Sequence, residues 1–591
     1  MHPFRSNHGT RGALVALAAS GALGFHLGYT RFPDWQIPVE SAQVLAGLVA
    51  YPEETPFYVH HMNLWTLLHQ ICAVFLLAGV SEIALSRVMS GVLGMLSFQA
   101  LAMFTFAFSG RALTATGVAV LLFVSQVTYA GAVYPIFLMG VPFTYGVVGL
   151  SLIVLVAGLF GSGLHRAGGF LLGVAPAVHT GLAVWLWGIV GVCVLLERGR
   201  NLPPALPSLL SGLAVSGASF AVHALMSAGV PGEPVAMDRR YLDAFVAFWD
   251  GHRRPIALRE LAVHLNAAGL VVATVWLRWF RPEVTPHAAL LLRFTQVSAA
   301  VSIALVPLTW ISPDRLPVSV LVLMPGRVVN IVAMTFSALV FGLLGSSRGG
   351  WRRALMLVMA GALLLGSDSM LWRFFPEGRP AWLPGIPTHG IPFVIAAAML
   401  IGAVTERWRS RSTAPGDGRA SLQGPRVAWR LAAIAVFGSA AVVAYRAPEL
   451  RGHIFMDRTN NAVLAAAAAA PGLLLTMGDA HLMQLRTRRP MLIDTGALDT
   501  IPYTPGSGPV LYRILRDIYG VDLFNPPGEL RGAGRLLKEV HRQQWERYTT
   551  EDWRKIRRTY HVTQVLTGAD WQLDLPIVAG DRRFLLYAIP E

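Results

Sequence analysis

The sequence predicts a polytopic α-helical membrane protein of about 13 transmembrane helices, followed by a C-terminal extracytoplasmic α/β domain. Three observations predict it. Hydrophobic residues fill 54% of the 591 positions and charged residues only 14%, whereas soluble domains carry about a quarter charged residues. The apolar residues gather in blocks of about 17 to 29, long enough to cross roughly 30 Å of hydrocarbon. After residue 445 the composition changes abruptly to dense charge and short alternating runs.

Near the N-terminus, Arg5 and Arg11 precede an apolar run that ends at Tyr29. No A-x-A cleavage site follows, so an uncleaved first span is expected rather than a signal peptide. Candidate spans fall near 12–29, 64–85, 88–109, 112–131, 137–160, 168–196, 204–227, 258–280, 287–309, 317–345, 354–372, 389–405 and 430–445. The block 168–196 holds Pro176 and His179 midway and reads alternatively as two short, broken helices. Arg348, Arg352 and Arg353 flank one loop, and Arg407, Arg409, Arg411, Arg419, Arg426 and Arg430 fill another, the Pro, Gly and Arg-rich stretch around 410–429. Both are expected to be cytoplasmic, with the N-terminus, as in a bacterial inner-membrane protein. The loops 30–63, 228–257 and 373–388, and everything after Tyr445, then face the other side. Thirteen spans satisfy this parity, but they leave Arg111, and His165 with Arg166, on the outer face.

The chain therefore divides into a transmembrane helical domain, 1–445, and a soluble domain, 446–591. In the latter, Leu473–Met477 reads as a strand, 480–489 as a helix and Met491–Ile493 as a second strand. The stretch 508–519 is expected to be helical, and 531–558 an Arg-rich amphipathic helical region. Val562–Thr567, a turn near Gly580-Asp581, and Phe584–Ile589 read as closing strands. No internal repeat of 20 to 50 residues is visible.

The net charge of +15 does not point to nucleic acid, because the arginines sit in short clusters between apolar blocks. That pattern suits cytoplasmic loops and phospholipid headgroups, so membrane lipid is the partner it implies. Lys538 and Lys555 are the only lysines. Cys72 and Cys193 both lie in apolar blocks, which leaves neither a disulfide framework nor a CxxC metal site. GxGxxG and GxxxxGK[ST] loops are absent, which argues against ATP-driven transport. His69, His179, His223 and His264 are scattered without metal-ligand spacing and read as hydrogen-bonded core histidines.

Three places have residues that suit chemistry. The first outward loop carries Asp34, Glu40, Glu53 and Glu54, then His60-His61. Acids and histidines beside a membrane suit a general base or a divalent cation, and the residue types alone do not choose between these and a solvated loop. Glu40 opens an amphipathic helix, where burial would raise a carboxylate toward a useful pKa. The second outward loop holds Asp250-Gly-His252-Arg253-Arg254 after Phe248-Trp249. Its arginines offer planar donors to phosphate and its aromatics suit an isoprenoid or a sugar face, although headgroup contact would use the same residues. Arg327, in Leu323-Met-Pro-Gly-Arg, lies inside an apolar block, where a charge is costly unless it faces a polar cavity. Arg293 and Asp368 also lie within spans.

With this architecture the chain resembles the GT-C superfamily of polytopic glycosyltransferases. The resemblance rests on the acidic first external loop after one span, the many-helix body and the α/β region after the last span. Thr559-Tyr560-His-Val562-Thr-Gln-Val565-Leu and the final Leu586-Tyr587-Ala-Ile589-Pro look like the close of such domains, and Gly173-Val-Ala-Pro176-Ala-Val-His179 is similar to a segment of the same kind of protein. The resemblance implies a sugar donor linked to polyprenyl phosphate and a glycan, lipid or protein acceptor on the outer face. It implies Glu40 or Asp34 as general base or metal ligand, and Arg327, His252 and Arg253, with neighbouring Arg254, as phosphate-binding residues. The chain departs from the family in having no Asp-Asp or Glu-Asp pair directly after the first span and no WWD-type motif in the tail. The alternatives are a non-enzymatic envelope scaffold, or a lipid-linked solute transporter or flippase; the latter would predict an internal repeat.

Overall fold

The structure, a computed structural model, describes residues 4–53, 55–63, 65–125, 133, 144–197, 203–228, 239–280, 284–346, 350–365, 391–412, 456–478, 480, 482–494 and 496–591. The expected span 430–445, the loops 373–388 and 413–429, Asp368 and Glu54 lie outside the described residues. Among the described residues, six helical stretches are long and apolar enough to cross a membrane: Gly9–Arg31, Glu82–Ser109, Leu206–Ser227, Leu261–Trp279, Pro286–Trp310 and Val318–Ser346. The chain is an integral membrane protein of largely helical build.

Small residues decide how closely these helices pack. The first helix, Phe4–Arg31, lies along Glu82–Ser109 with Gly24 against Gly94; a β-carbon on Gly94 would come within 2.2 Å of the Gly24 carbonyl oxygen. Backbone contact of this kind gains dispersion where lipid supplies no hydrophobic drive. Gly173 and Gly212 bring His165–Val178 and Leu206–Ser227 together in the same way, and Ser216 adds a hydrogen bond to the Gly173 carbonyl at 2.7 Å.

One expected span is corrected, and the block 168–196 takes the second of the two readings that its sequence offered. The block 64–85 is not one span but a helix of 11 residues, Leu67–Leu77, ended at Gly79 with φ +86° and followed by a new start at Ser81. Eleven residues reach only about 16 Å. The Ser81 hydroxyl accepts from the Ala84 amide, and Glu82 sits in the first turn, which together begin the long helix Glu82–Ser109. The block 168–196 is two helices, His165–Val178 and Thr180–Leu196, broken at an extended His179 after Pro176. His165 lies 3.1 Å from His287, and Glu197 lies 3.4 Å from Arg293 of the same helix, Pro286–Leu305. His287 and Arg293 are only about 9 Å apart along that helix. Both outer ends of the pair are thus at one level, and the two helices form a hairpin with His179 at its tip.

The C-terminal region builds a four-stranded sheet in the order β1-β2-β4-β3. β1 (Leu473–Thr476) runs parallel to β2 (Val562–Gly568); β4 (Phe584–Ala588) pairs antiparallel with both β2 and β3 (Ile577–Gly580). The expected strand Met491–Ile493 reduces to a single bridge between Met491 and Leu474. Pro490 supplies no amide to extend it, and the chain then turns at Asp494, whose carboxylate accepts from Leu482 and Gly496. The expected helix 480–489 shortens to Met483–Thr487, bounded by left-handed Leu482 and Arg488. The region 531–558 is two helices, Lys538–Trp545 and Thr550–Tyr560, the second opened by a Thr549/Asp552 capping box. The helix Gly508–Tyr519 and the closing strands lie where the sequence puts them.

The core of this region extends beyond it. Tyr51, Phe57, Phe245 and Trp249, from segments joining the apolar helices, and Leu321, at the start of Val318–Ser346, are buried with the sheet residues. The buried carboxylate of Glu82 takes Arg488 at 2.5 Å, Arg458 at 3.3 Å and Gln43 at 3.1 Å, which ties the C-terminal region to the head of Glu82–Ser109.

Candidate functional site

The C-terminal region fixes the loop that carries Asp250, His252 and Arg253. Phe245–Trp249 is a π-helical turn; the Trp249 indole donates to the Leu523 carbonyl at 2.9 Å, while Gly532 and Gly534 donate their amides to the carbonyls of Phe248 and Trp249. Gly251 sits so close that a β-carbon would lie 2.6 Å from the Gly532 oxygen. The next residues are thereby aimed. Asp250 is buried and accepts from the His252 amide at 2.7 Å; its other oxygen pairs with Arg253 Nη1. Burial pushes the Asp250 carboxyl up, but the His252 contact and the Arg253 guanidinium outweigh it and hold the group at about 2. Arg253 donates through Nε to the Leu321 carbonyl at 2.8 Å. Its Nη2 is buried and has no hydrogen-bond partner among the described residues.

Arg327 approaches from the membrane helices. The stretch Val318–Ser346 breaks at Met324, whose φ of +45° is uncommon for a residue with a β-carbon, and at Pro325. Carbonyls released by the break are met by neighbours: Trp185 donates to Leu323 at 2.9 Å, Ser302 to Val328 at 3.0 Å and Asn266 to Val329 at 2.8 Å. This is how an irregular turn persists among apolar helices. The half-buried Arg327 lies within electrostatic reach of His179, at the hairpin tip, and of Asp499 in the C-terminal region. Asp499 also feels His252, Asp250 and Arg253. Arg327, 74 positions after Arg253 in sequence, thus gathers with it and with His252 around one acid.

Arg254 is turned to a different task. It forms a fork onto Glu260, at 2.8 and 2.9 Å, on the exposed side of the loop.

The two acids of the first loop separate. Asp34 is nearly buried beside the long helix: Arg87 stands 3.7 Å away, and Asp34 Oδ2 has no hydrogen-bond partner among the described residues. Burial raises its carboxyl to about 6 against the pull of Arg87. The next residue, Trp35, is fixed by its amide on Ser90 at 2.6 Å, and its ring lies 6.0 Å from Tyr145. Tyr145 in turn lies 5.0 Å from His69 and 5.9 Å from His179, so an aromatic lane runs from Asp34's neighbour to the side of Arg327. Glu40 lies half-buried on the helix Ile37–Leu45, its carbonyl accepting from Gln484 at 2.8 Å and its carboxylate felt by buried Tyr51. It faces the junction with the C-terminal region.

His60 and His61, on the helix Pro56–Asn63, are held neutral by burial, His60 at about 4 and His61 well below the ordinary range. Among the described residues no three His, Cys, Asp or Glu side chains converge to hold a metal ion. Arg293 pairs with Glu197 and Gln296, away from the site. An apolar cleft lined by residues such as Phe160, Leu172, Cys193 and Phe294 lies toward the opposite ends of the helices.

Asp499, Tyr145 and the orienting role of Asp250 escape a reading of the sequence. The signal for Asp499 is faint: an acid among small residues, Asp494-Thr-Gly-Ala-Leu-Asp499, just after a strand-like run.

No protein-family model matches the chain, and no curated protein matches it in sequence. Among solved structures the chain is similar to ArnT from Cupriavidus metallidurans bound to undecaprenyl phosphate, at 14% identity and a TM-score of 0.46, over 98% of this chain and 97% of that one.

Proposed function

We propose that the chain is a membrane-embedded glycosyltransferase that moves a sugar from a polyprenyl-phosphate-linked donor to an extracytoplasmic acceptor. The observation that carries this is the buried Arg253, with an unsatisfied N–H, gathered with His252 and Arg327 where the apolar helices meet the C-terminal region. A buried guanidinium donor without a partner costs free energy, and a phosphate held against the lipid-facing helices would satisfy it.

In the reaction the acceptor hydroxyl oxygen attacks the anomeric carbon, and the bond from that carbon to the phosphate oxygen breaks. The electron pair leaves with the phosphate, which becomes a monoester with one more negative charge. Arg327, Arg253 and His252 lie where that charge develops. The acceptor proton passes to a carboxylate. Asp34 fits this role better than Glu40, because burial has moved its carboxyl to about 6 and a base near the working pH is the more effective.

The orientation belongs to the same proposal. Removing 64–85 from the spans and dividing 168–196 into two keeps the total at thirteen when 430–445 is counted. Arg111, and His165 with Arg166, then fall on the cytoplasmic side with Arg352, which lies over Phe280 at 4.3 Å. The N-terminus is cytoplasmic, and residues 446–591 form the extracytoplasmic domain of an inner-membrane protein.

The test is transfer from a short-chain polyprenyl-phosphate sugar by the purified chain. Arg327→Gln should lower kcat/KM about a hundredfold, as loss of one transition-state contact does. Asp34→Asn should abolish turnover in a protein that still runs as a single species, and Glu40→Gln should not. Full activity in Arg327→Gln would refute the site; loss in Glu40→Gln with Asp34→Asn active would exchange the two acids.

A further inference from the structure

The C-terminal region contributes a charged group that the phosphate reading does not use. Asp499 lies on the short turn Ala497–Thr500 and is half-buried. Its carboxyl makes no hydrogen bond or ion pair with any described residue. It lies beside the loop that carries Asp250 and Arg253, since a β-carbon on Gly534 would come within 3.9 Å of the Trp249 oxygen and 4.0 Å of Asp499 Oδ1, and it feels His252, Asp250, Arg253 and Arg327. Arg253 is already paired with Asp250, so two arginines and two carboxylates share this place. A carboxylate left unpaired among arginines is not explained by stability, since pairing would relieve its burial.

The elements around Asp499 bring few other charges. The helix Pro56–Asn63 brings His60 and His61, both kept neutral by burial. In the loop beside Gly534, Arg531 is turned onto Phe248 and Asn525, and Arg535 is exposed.

We propose that Asp499 sets the charge of the phosphate that this pocket accepts, admitting a phosphodiester monoanion and disfavouring a phosphomonoester dianion. The proposal rests on the phosphate reading above. In that reaction the donor is the diester and the departing product the monoester, so a fixed negative charge at the pocket wall favours filling by the first and release of the second. Burial raises the Asp499 carboxyl to about 6, so the group is ionised at pH 8.

The experiment measures binding of citronellyl phosphate and of its methyl ester to the purified full chain at pH 8, by calorimetry in one detergent. The wild-type chain should bind the methyl ester more tightly. Asp499→Asn should strengthen binding of the monoester about tenfold, the equivalent of one pKa unit of interaction, and change the diester by less than about threefold. Asp499→Glu should keep the wild-type preference. An unchanged ratio in Asp499→Asn, or the same loss of preference in Asp499→Glu, would overturn the proposal. If Arg327→Gln binds both compounds as the wild type does, the phosphate reading itself fails, whatever Asp499 does.

Discussion

Two buried carboxylates, Asp34 and Asp250, titrate in opposite directions because the partners of Asp250 outweigh its burial and the one arginine beside Asp34 does not. Asp250 is held at about 2, below its ordinary 3.8. A carboxyl with a lowered native pKa contributes stability at neutral pH that is lost as pH falls from about 4 to 2; here that is about 2 kcal/mol. Asp34, raised to about 6, does the reverse. Its contribution is lost as pH rises from about 4 through 6, a cost of about 3 kcal/mol above pH 6. Asp34→Asn should therefore raise thermal stability at pH 7.5 by up to ~3 kcal/mol while leaving it nearly unchanged at pH 4; equal gains at both values would show that burial of the charge is not the cause. In the wild-type chain the transfer rate should fall about tenfold per pH unit below 6, as a base of that pKa takes up its proton. Neither value could be read from the sequence, because Asp34 and Glu40 look alike until their surroundings are known.

At the scale of elements, the weak point of a sequence reading is where helices stop. Ser81-Glu82 is a helix start inside an apolar run, and His179 is a break between two apolar runs; hydropathy averages across both. The glycines at the helix contacts have a testable consequence. Gly24→Leu would drive a side chain into the Gly94 backbone, from which a β-carbon is already only 2.4 Å distant. Such overpacking costs about 1–3 kcal/mol or more, and the variant should lose its monodisperse elution in detergent. Glu82→Ala should loosen the C-terminal region instead, since it strips Arg458 and Arg488 of a common buried partner. Removing one member of a buried charge cluster costs about 3–5 kcal/mol, so faster amide exchange over Met483–Arg488 is expected, with little change in the helices. Uniform exchange along the whole chain would contradict it.

Across the whole molecule, the proposed orientation rests on the short helix Leu67–Leu77 and on the break at His179, and labelling tests it. Cysteines placed at Arg111 and Arg166 should be labelled by an impermeant maleimide from the cytoplasmic face, and one at Ile577, which is exposed on β3, from the other. Labelling of Arg111→Cys from the outer face would restore 64–85 as a span. The membrane class and the arginines that gather were legible from the residues alone. Each depends on composition or on the sign of a charge, which the chain carries wherever it folds. The convergence of Arg253, Arg327 and Asp499, the separation of Asp34 from Glu40 and the hairpin at His179 were decided by tertiary structure. They depend on which segments share a low-dielectric space, and residues separated by 74 and 172 positions in sequence meet there only because helices and sheet pack as they do.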